Sequence, residues 1–321
     1  MHISDNSIDP GLRRTGKIIR TIMPSFTEKK IKAIRSMNSL SEGVNNSKFN
    51  YEQHFVTRAD GSKLRLCVYS SNTPKKDVPG VLWIHGGGYA IGIPEIETVS
   101  FADLIYKLGA VVVAPDYCLS TEKPYPAALS DCYAGLEWLR QHTAEYGIRD
   151  DQLVVAGSSA GGGLTAALSL YARDKGDIAI AFQMPLYPMI DDRPTGSSID
   201  NDAPVWNTKS NQTCWGMYLG SLYGNEHVPA YAAPARAEDL SNLPPTVSFV
   251  GDIEPFYDET VSYIEKLQNA GVPTTFKVFP GAFHAFDMLC PKAQLSQEAH
   301  EFFFDSFKYY SERYFAKQPC K

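Results

Sequence analysis

The chain has 321 residues, 44% of them hydrophobic and 21% charged, ordinary values for a folded globular protein long enough to bury a large core in one α/β domain. Its 36 acidic and 30 basic residues leave a formal charge of -6, which gives no electrostatic reason to expect nucleic acid as a partner. The first ten residues are polar and acidic, without the apolar segment of a signal peptide, and the longest apolar runs, such as 110–114, are far too short to span a bilayer. No stable membrane association is expected.

Six cysteines, at positions 67, 118, 132, 214, 290 and 320, are scattered, with no Cys-x-x-Cys and no His-x-x-x-His. They read as buried free thiols in a reducing compartment, with the cytoplasm as the default address and no metal site. Cys320 precedes a single lysine and so is not a prenylation box.

Residues 1–45 read as two short helices. Ile18, Ile19, Ile22 and Met23 share one face, and Ile31, Ile34 and Met37 recur every three residues. Basic residues crowd the segment (Arg13, Arg14, Lys17, Arg20, Lys29, Lys30, Lys32 and Arg35), but the apolar stripes are short. That favours a solvated polar face over a membrane-surface helix. The segment is expected to be a cap packed on a main domain of residues 46–321; a flexible arm is the alternative.

Strand signals begin at Tyr51. Runs at 51–57 and 64–69 flank Ala59-Asp60-Gly61-Ser62, a hairpin turn. Continuous apolar runs at 81–84 and 110–114 suit strands buried on both faces. Helical patterns follow at 98–108, ending at Gly109, and at 127–145; another strand is expected at 178–186. Residues 188–245 are loop-rich around one helix near 209–219, an insertion over the active end of the sheet. Strands at 246–250 and 274–279 then alternate with helices at 258–270 and 293–314. The alternation predicts a mostly parallel sheet covered on both faces, the α/β class.

Within this frame Val154-Val155-Ala156-Gly157-Ser158-Ser159-Ala160-Gly161-Gly162-Gly163 places a Gly-x-Ser-x-Gly between a strand and a helix. Alone the pattern arises by chance in about one chain in ten of this length, so its setting has to decide. Strand, tight turn and helix are what a nucleophile elbow needs, with Ser159 at its apex. A phosphate-binding loop is disfavoured because no Gly-Lys-[Ser/Thr] follows. Upstream, His85-Gly86-Gly87-Gly88-Tyr89 follows an early strand, where backbone N–H groups approach a ligand without side chains in the way; this is the position of an oxyanion loop. Downstream, His284 lies in Pro280-Gly281-Ala282-Phe283-His284-Ala285-Phe286, after the last apolar strand and after a group of acids. That gives the order serine, acid, histidine.

Taken with Pro115-Asp116-Tyr117, Pro124-Tyr125-Pro126-Ala127-Ala128 and Asp131, these motifs resemble the hormone-sensitive-lipase-like esterases of the α/β-hydrolase fold, over about residues 50–315. The resemblance implies a carboxylic ester hydrolase acting on short acyl chains without a cofactor, with a small-molecule ester as partner and a homodimer as an open alternative. Carried over by motif, Gly87, Gly88 and Ala160 supply the oxyanion N–H groups. The chain departs from the family where Ser158 replaces the usual elbow aspartate, and where Cys118-Leu119-Ser120-Thr121-Glu122 replaces Arg-Leu-Ala-Pro-Glu. An amidase or formamidase on the same triad, and a non-catalytic receptor on the same fold, are the rival readings; retention of His284 speaks against the receptor. Tyr89, Tyr187, Trp206 and Trp215 are candidate pocket lining, with ordinary core as the alternative for each.

The acid is the open choice. The stretch 250–259 offers Asp252, Glu254, Asp258 and Glu259. The family pattern places the acid directly before Pro or Leu, then two residues, then Asp-Glu, which falls on Glu254. Asp252 lies two residues early, and Asp258 suits the N-cap of the next helix.

Overall fold

The computed structural model describes residues 2–44 and 49–319; Cys320 and the junction expected at 45–46 lie outside the described residues. Eight strands form one sheet: β1 (Asn50–Thr57), β2 (Lys63–Ser70), β3 (Val78–Ile84), β4 (Val111–Pro115), β5 (Ile148–Ser158), β6 (Phe182–Leu186), β7 (Thr246–Gly251) and β8 (Thr274–Phe279). Their spatial order is β1-β2-β4-β3-β5-β6-β7-β8. β1 and β2 form the expected hairpin and β2 runs antiparallel to β4; every later pairing is parallel.

The two faces of the sheet explain the continuous apolar runs. On β3, Val78, Leu82 and Ile84 enter one core while Val81 and Trp83 enter the other. Successive side chains of a strand point to opposite faces, so a strand covered on both sides must be apolar throughout. Helices α4 (Ala127–Gln141) and α5 (Ala160–Lys175) cover the first face through Leu136 and Leu164. The second is covered by α3 (Thr98–Asp103), continued in wider turns to Leu108, by the short α8 (Phe286–Leu289) and by α9 (Gln294–Ser311), through Phe101, Phe286 and Phe307. Gly109 ends the α3 stretch at φ 76°, a left-handed conformation that glycine adopts at no steric cost.

Of the element boundaries that differ from the sequence reading, three have a plain physical cause. The α4 helix stops at Gln141 because the His142 ring stacks on Trp138, 4.0 Å between centroids, and bonds its carbonyl. β6 starts at Phe182, since the Ala179 and Ala181 N–H groups are taken by Gln318 and the Leu153 carbonyl before ladder pairing begins. Asp258 lies inside helix α7 (Tyr257–Asn269), which Phe256 caps, and its carboxylate instead accepts from the Ser197 N–H at 2.6 Å.

The N-terminal helices are α1 (Pro10–Ile22) and α2 (Glu28–Asn38). Only half of the expected apolar stripe of α1 faces the body: Ile19 and Met23 are half-buried in line with the buried Leu12 and Gly16, whereas Ile18 and Ile22 are exposed. Glycine at 16 lets the helix approach Phe283 and Pro204 so closely that a Cβ there would sit 3.1 Å and 3.2 Å from them. On α2, Ile31 is buried and Met37 is 68% exposed. Arg35 pairs with Glu122 and donates to Thr121, and the Phe26 N–H donates to Ser210 of helix α6 (Thr208–Leu219). Among the described residues no helix is long and apolar enough to cross a membrane.

Candidate active site

β5 ends at Ser158 and α5 begins at Ala160, so Ser159 is the single residue of the turn between them. Its backbone is held at φ 57° and ψ -120°, a conformation that costs an L-residue about 1–3 kcal/mol. Three hydrogen bonds impose it: Ser159 N–H to the Leu186 carbonyl, and the Gly163 and Met189 N–H groups to the Ser159 carbonyl, all 2.9–3.0 Å. The flanking glycines are required by crowding. A Cβ on Gly157 would lie 2.5 Å from the Ile84 carbonyl oxygen, and one on Gly161 only 2.0 Å from it.

His284 arrives on the loop after β8. Its Nε2 lies 2.8 Å from Ser159 Oγ, and its Nδ1 donates to Glu254 Oε2. The other Glu254 oxygen accepts the Gly251 N–H at 3.0 Å, which fixes the carboxylate. Phe256 and Tyr187 meet the imidazole edge-on, at 5.0 Å and 5.2 Å between centroids. All three polar side chains are buried. A serine hydroxyl, an imidazole and a carboxylate thus lie in successive hydrogen-bond reach, a geometry able to activate a serine. Asp252, the alternative acid, instead accepts the Gly281 N–H at 2.6 Å and ties down the loop that carries His284.

The glycine loop packs directly on the elbow. A Cβ on Gly86 would stand 3.1 Å from the Ser158 carbonyl oxygen and 3.3 Å from Ser159 Cβ. Behind the loop, Tyr117 stacks on His85 at 4.2 Å and donates to the His85 carbonyl; burial lowers the His85 pKa and so favours the neutral ring. Asp131 anchors the segment that carries Tyr117, accepting two bonds from Arg58 and one from the Cys118 N–H. Among the described residues, the N–H groups of Gly87, Gly88 and Ala160 have no protein acceptor, so they are available to a ligand oxygen.

A cavity of about 260 Å³ opens onto Ser159 and His284. Of the four aromatic residues singled out from sequence, Tyr187 and Trp206 line it. Tyr89 and Trp215 do not. Tyr89 stacks on Tyr218 at 3.8 Å and donates to the Met189 carbonyl, deep in the core, and Trp215 packs beside this pair, bordering a different surface hollow with Arg193 and Tyr223. Phe26, Ile34, Ile91, Val205 and Met288 are among the other apolar residues of its wall. These five carry no motif, and only their places in the expected cap, insertion and motif-flanking loops point to them. Two buried carboxylates near the site also escaped the sequence reading. One is Asp287, which burial raises from 3.8 to about 6 and which accepts from Tyr187 at 3.3 Å. The other is Glu97, one wall of the cavity. Among the described residues no group of three His, Cys, Asp or Glu side chains is arranged to hold a metal ion.

The fold agrees with what comparisons with known proteins return. A family model described as alpha/beta hydrolase fold matches residues 81–288. The chain is 36% identical to esterase LipI of Mycobacterium tuberculosis over 61% of its own length and 62% of LipI, so it spans a little under two thirds of that relative. It is 33% identical to carboxylesterase NlhH of the same species over 68% of the chain and 70% of NlhH. In three dimensions it superposes on a bacterial heroin esterase with a TM-score of 0.86 at 30% identity, covering 97% of this chain and 99% of that one.

Proposed function

The chain belongs to the α/β-hydrolase family, on its hormone-sensitive-lipase-like esterase branch, and from that premise we propose that it is a serine carboxylesterase acting on small, short-chain acyl esters. The observation that carries this reading is the continuous hydrogen-bonded line from Ser159 Oγ through His284 to Glu254, opening on an apolar cavity. Ser159 attacks the ester carbonyl while His284 Nε2 takes its proton. The carbonyl oxygen becomes an anion, which the N–H groups of Gly87, Gly88 and Ala160 stabilise. His284 returns the proton to the departing alcohol, leaving an acyl group on Ser159. Water, deprotonated by the same imidazole, then attacks the acyl-enzyme and frees the acid. Glu254 holds the ring in the tautomer with Nδ1 protonated and balances the imidazolium as it forms.

Substrate size follows from the walls. A cavity of about 260 Å³ is small beside the pockets that hold drug-sized ligands, and Phe26 and Trp206, with ring centroids 5.4 Å apart, crowd it from the cap and the insertion. In this reading residues 1–45 and 188–245 together form the lid of a catalytic domain. A panel of p-nitrophenyl esters from acetyl to dodecanoyl, run beside a p-nitroanilide, tests it. The largest kcat/KM is expected at acetyl to butyryl, with the anilide far slower. A rise toward dodecanoyl, or comparable turnover of the anilide, overturns the assignment.

A further inference from the structure

Glu97 enters the site from an element that none of the motifs includes. It ends a short turn (Pro94–Glu97) just before α3, and its side chain is buried between the end of β3, the glycine loop and the elbow. Its Oε1 accepts the Gly86 N–H at 2.9 Å and its Oε2 accepts Trp83 Nε1–H at 3.1 Å. The Ser158 hydroxyl donates across both oxygens at 3.1 and 3.2 Å. One carboxylate therefore joins the strand before the oxyanion loop, the first peptide of that loop, and the residue preceding the nucleophile. Ser158 stands where the family elbow usually carries aspartate, so the elbow has no carboxylate of its own at this point.

Resting on the esterase reading, we propose that Glu97 is a positioning residue that sets the oxyanion loop against Ser159 and does so as the single carboxylate the elbow requires. Two of its partners, the Gly86 N–H and the Trp83 indole N–H, can only donate, and each occupies a different oxygen. An amide at this position must turn its NH₂ toward one of them, leaving a buried donor facing a donor. The Gly86 peptide would then swing away from the elbow, carrying the Gly87 and Gly88 N–H groups off the site where the oxyanion forms. A displacement of this kind penalises the transition state and leaves ground-state binding in the apolar cavity nearly intact.

The test is a cycle of four proteins assayed with p-nitrophenyl butyrate: wild type, Glu97→Gln, Ser158→Asp, and the double variant. They hold one, none, two and one carboxylate at this point. Glu97→Gln is expected to lower kcat by about 10- to 100-fold with KM changed by less than about threefold, because the lost interaction belongs to the transition state. Ser158→Asp places two buried carboxylates together and is also expected to be slow. The double variant is expected to be faster than Ser158→Asp, because the paired carboxylates are relieved, yet slower than wild type, because the amide at position 97 still faces one donor; mere loss of stability in each single variant would not produce this coupling. If Glu97→Gln does not fold, the comparison of Ser158→Asp with the double variant carries the same test. An unchanged kcat in folded Glu97→Gln, or a double variant no faster than Ser158→Asp, overturns the proposal. Absence of ester turnover in the wild type, by contrast, would strike the esterase reading itself.

Discussion

At the scale of single residues, the acid offers the sharpest discrimination. Glu254 touches His284 while Asp252 holds the Gly281 backbone, so their roles separate cleanly. Glu254→Gln is expected to lower kcat by about 10³- to 10⁴-fold, and Asp252→Asn by about tenfold or less, in steady-state assays of folded protein. The opposite ranking would move the acid to Asp252. Asp287 makes a prediction about pH. Burial raises its pKa from 3.8 to about 6, so the folded chain binds this proton more tightly than the unfolded chain. Its contribution to stability is therefore complete below about pH 4 and disappears as pH rises through about 6, a loss of about 1–3 kcal/mol. Replacing it with Asn removes that dependence. The Tm of Asp287→Asn minus that of wild type should grow by a few degrees between about pH 4 and pH 7.5, whereas parallel curves would show that the carboxyl is not held protonated. The meeting of Ser159, His284 and Glu254 was legible in the sequence because each sits in a motif with a fixed order and spacing along the chain. Glu97 and Asp287 were not, since a buried carboxylate is recognised by what surrounds it, and those surroundings come from segments distant in the chain.

At the scale of elements, the sheet was readable because strands covered on both faces must be apolar throughout, as β3 and β4 are. Helix α1 misled for a related reason. Periodicity finds where apolar residues cluster, but α1 docks most deeply through Leu12 and a glycine, with only Ile19 and Met23 of the stripe half-buried beside them, and glycine carries no hydropathy signal. The tight seat of Gly16 against Phe283 and Pro204 predicts that Gly16→Leu lifts α1 off the body. Limited proteolysis should then cut the N-terminal segment faster, and because Phe283 adjoins His284, kcat should fall severalfold. Ile22→Ser, on the exposed face, should change neither. Equal sensitivity of the two variants would return the docking face to the isoleucine stripe. The four aromatic candidates divide on the same principle. Tyr187 follows β6 directly and reaches the cavity, whereas Tyr89 and Trp215 sit in positions whose direction only the packing of α6 decides.

At the scale of the whole molecule, the sheet brings together loops that are remote in sequence. The glycine loop follows β3, the elbow follows β5, the acid follows β7 and the histidine follows β8, all leaving the same end of parallel strands. That common exit gathers Ser159, Glu254 and His284 into one place, where Phe26, Ile34, Val205 and Trp206 line the cavity beside Ser159 and His284. The central claim is that this site makes an acyl-enzyme on Ser159, and covalent labelling tests it most directly. An organophosphonate with a p-nitrophenyl leaving group, incubated with the protein and mapped by peptide mass spectrometry, should modify Ser159 alone. Loss of butyrate ester turnover should follow the label in equal proportion, and His284→Ala should abolish both. A label on the adjacent Ser158, or full ester turnover in protein labelled at Ser159, would contradict the account.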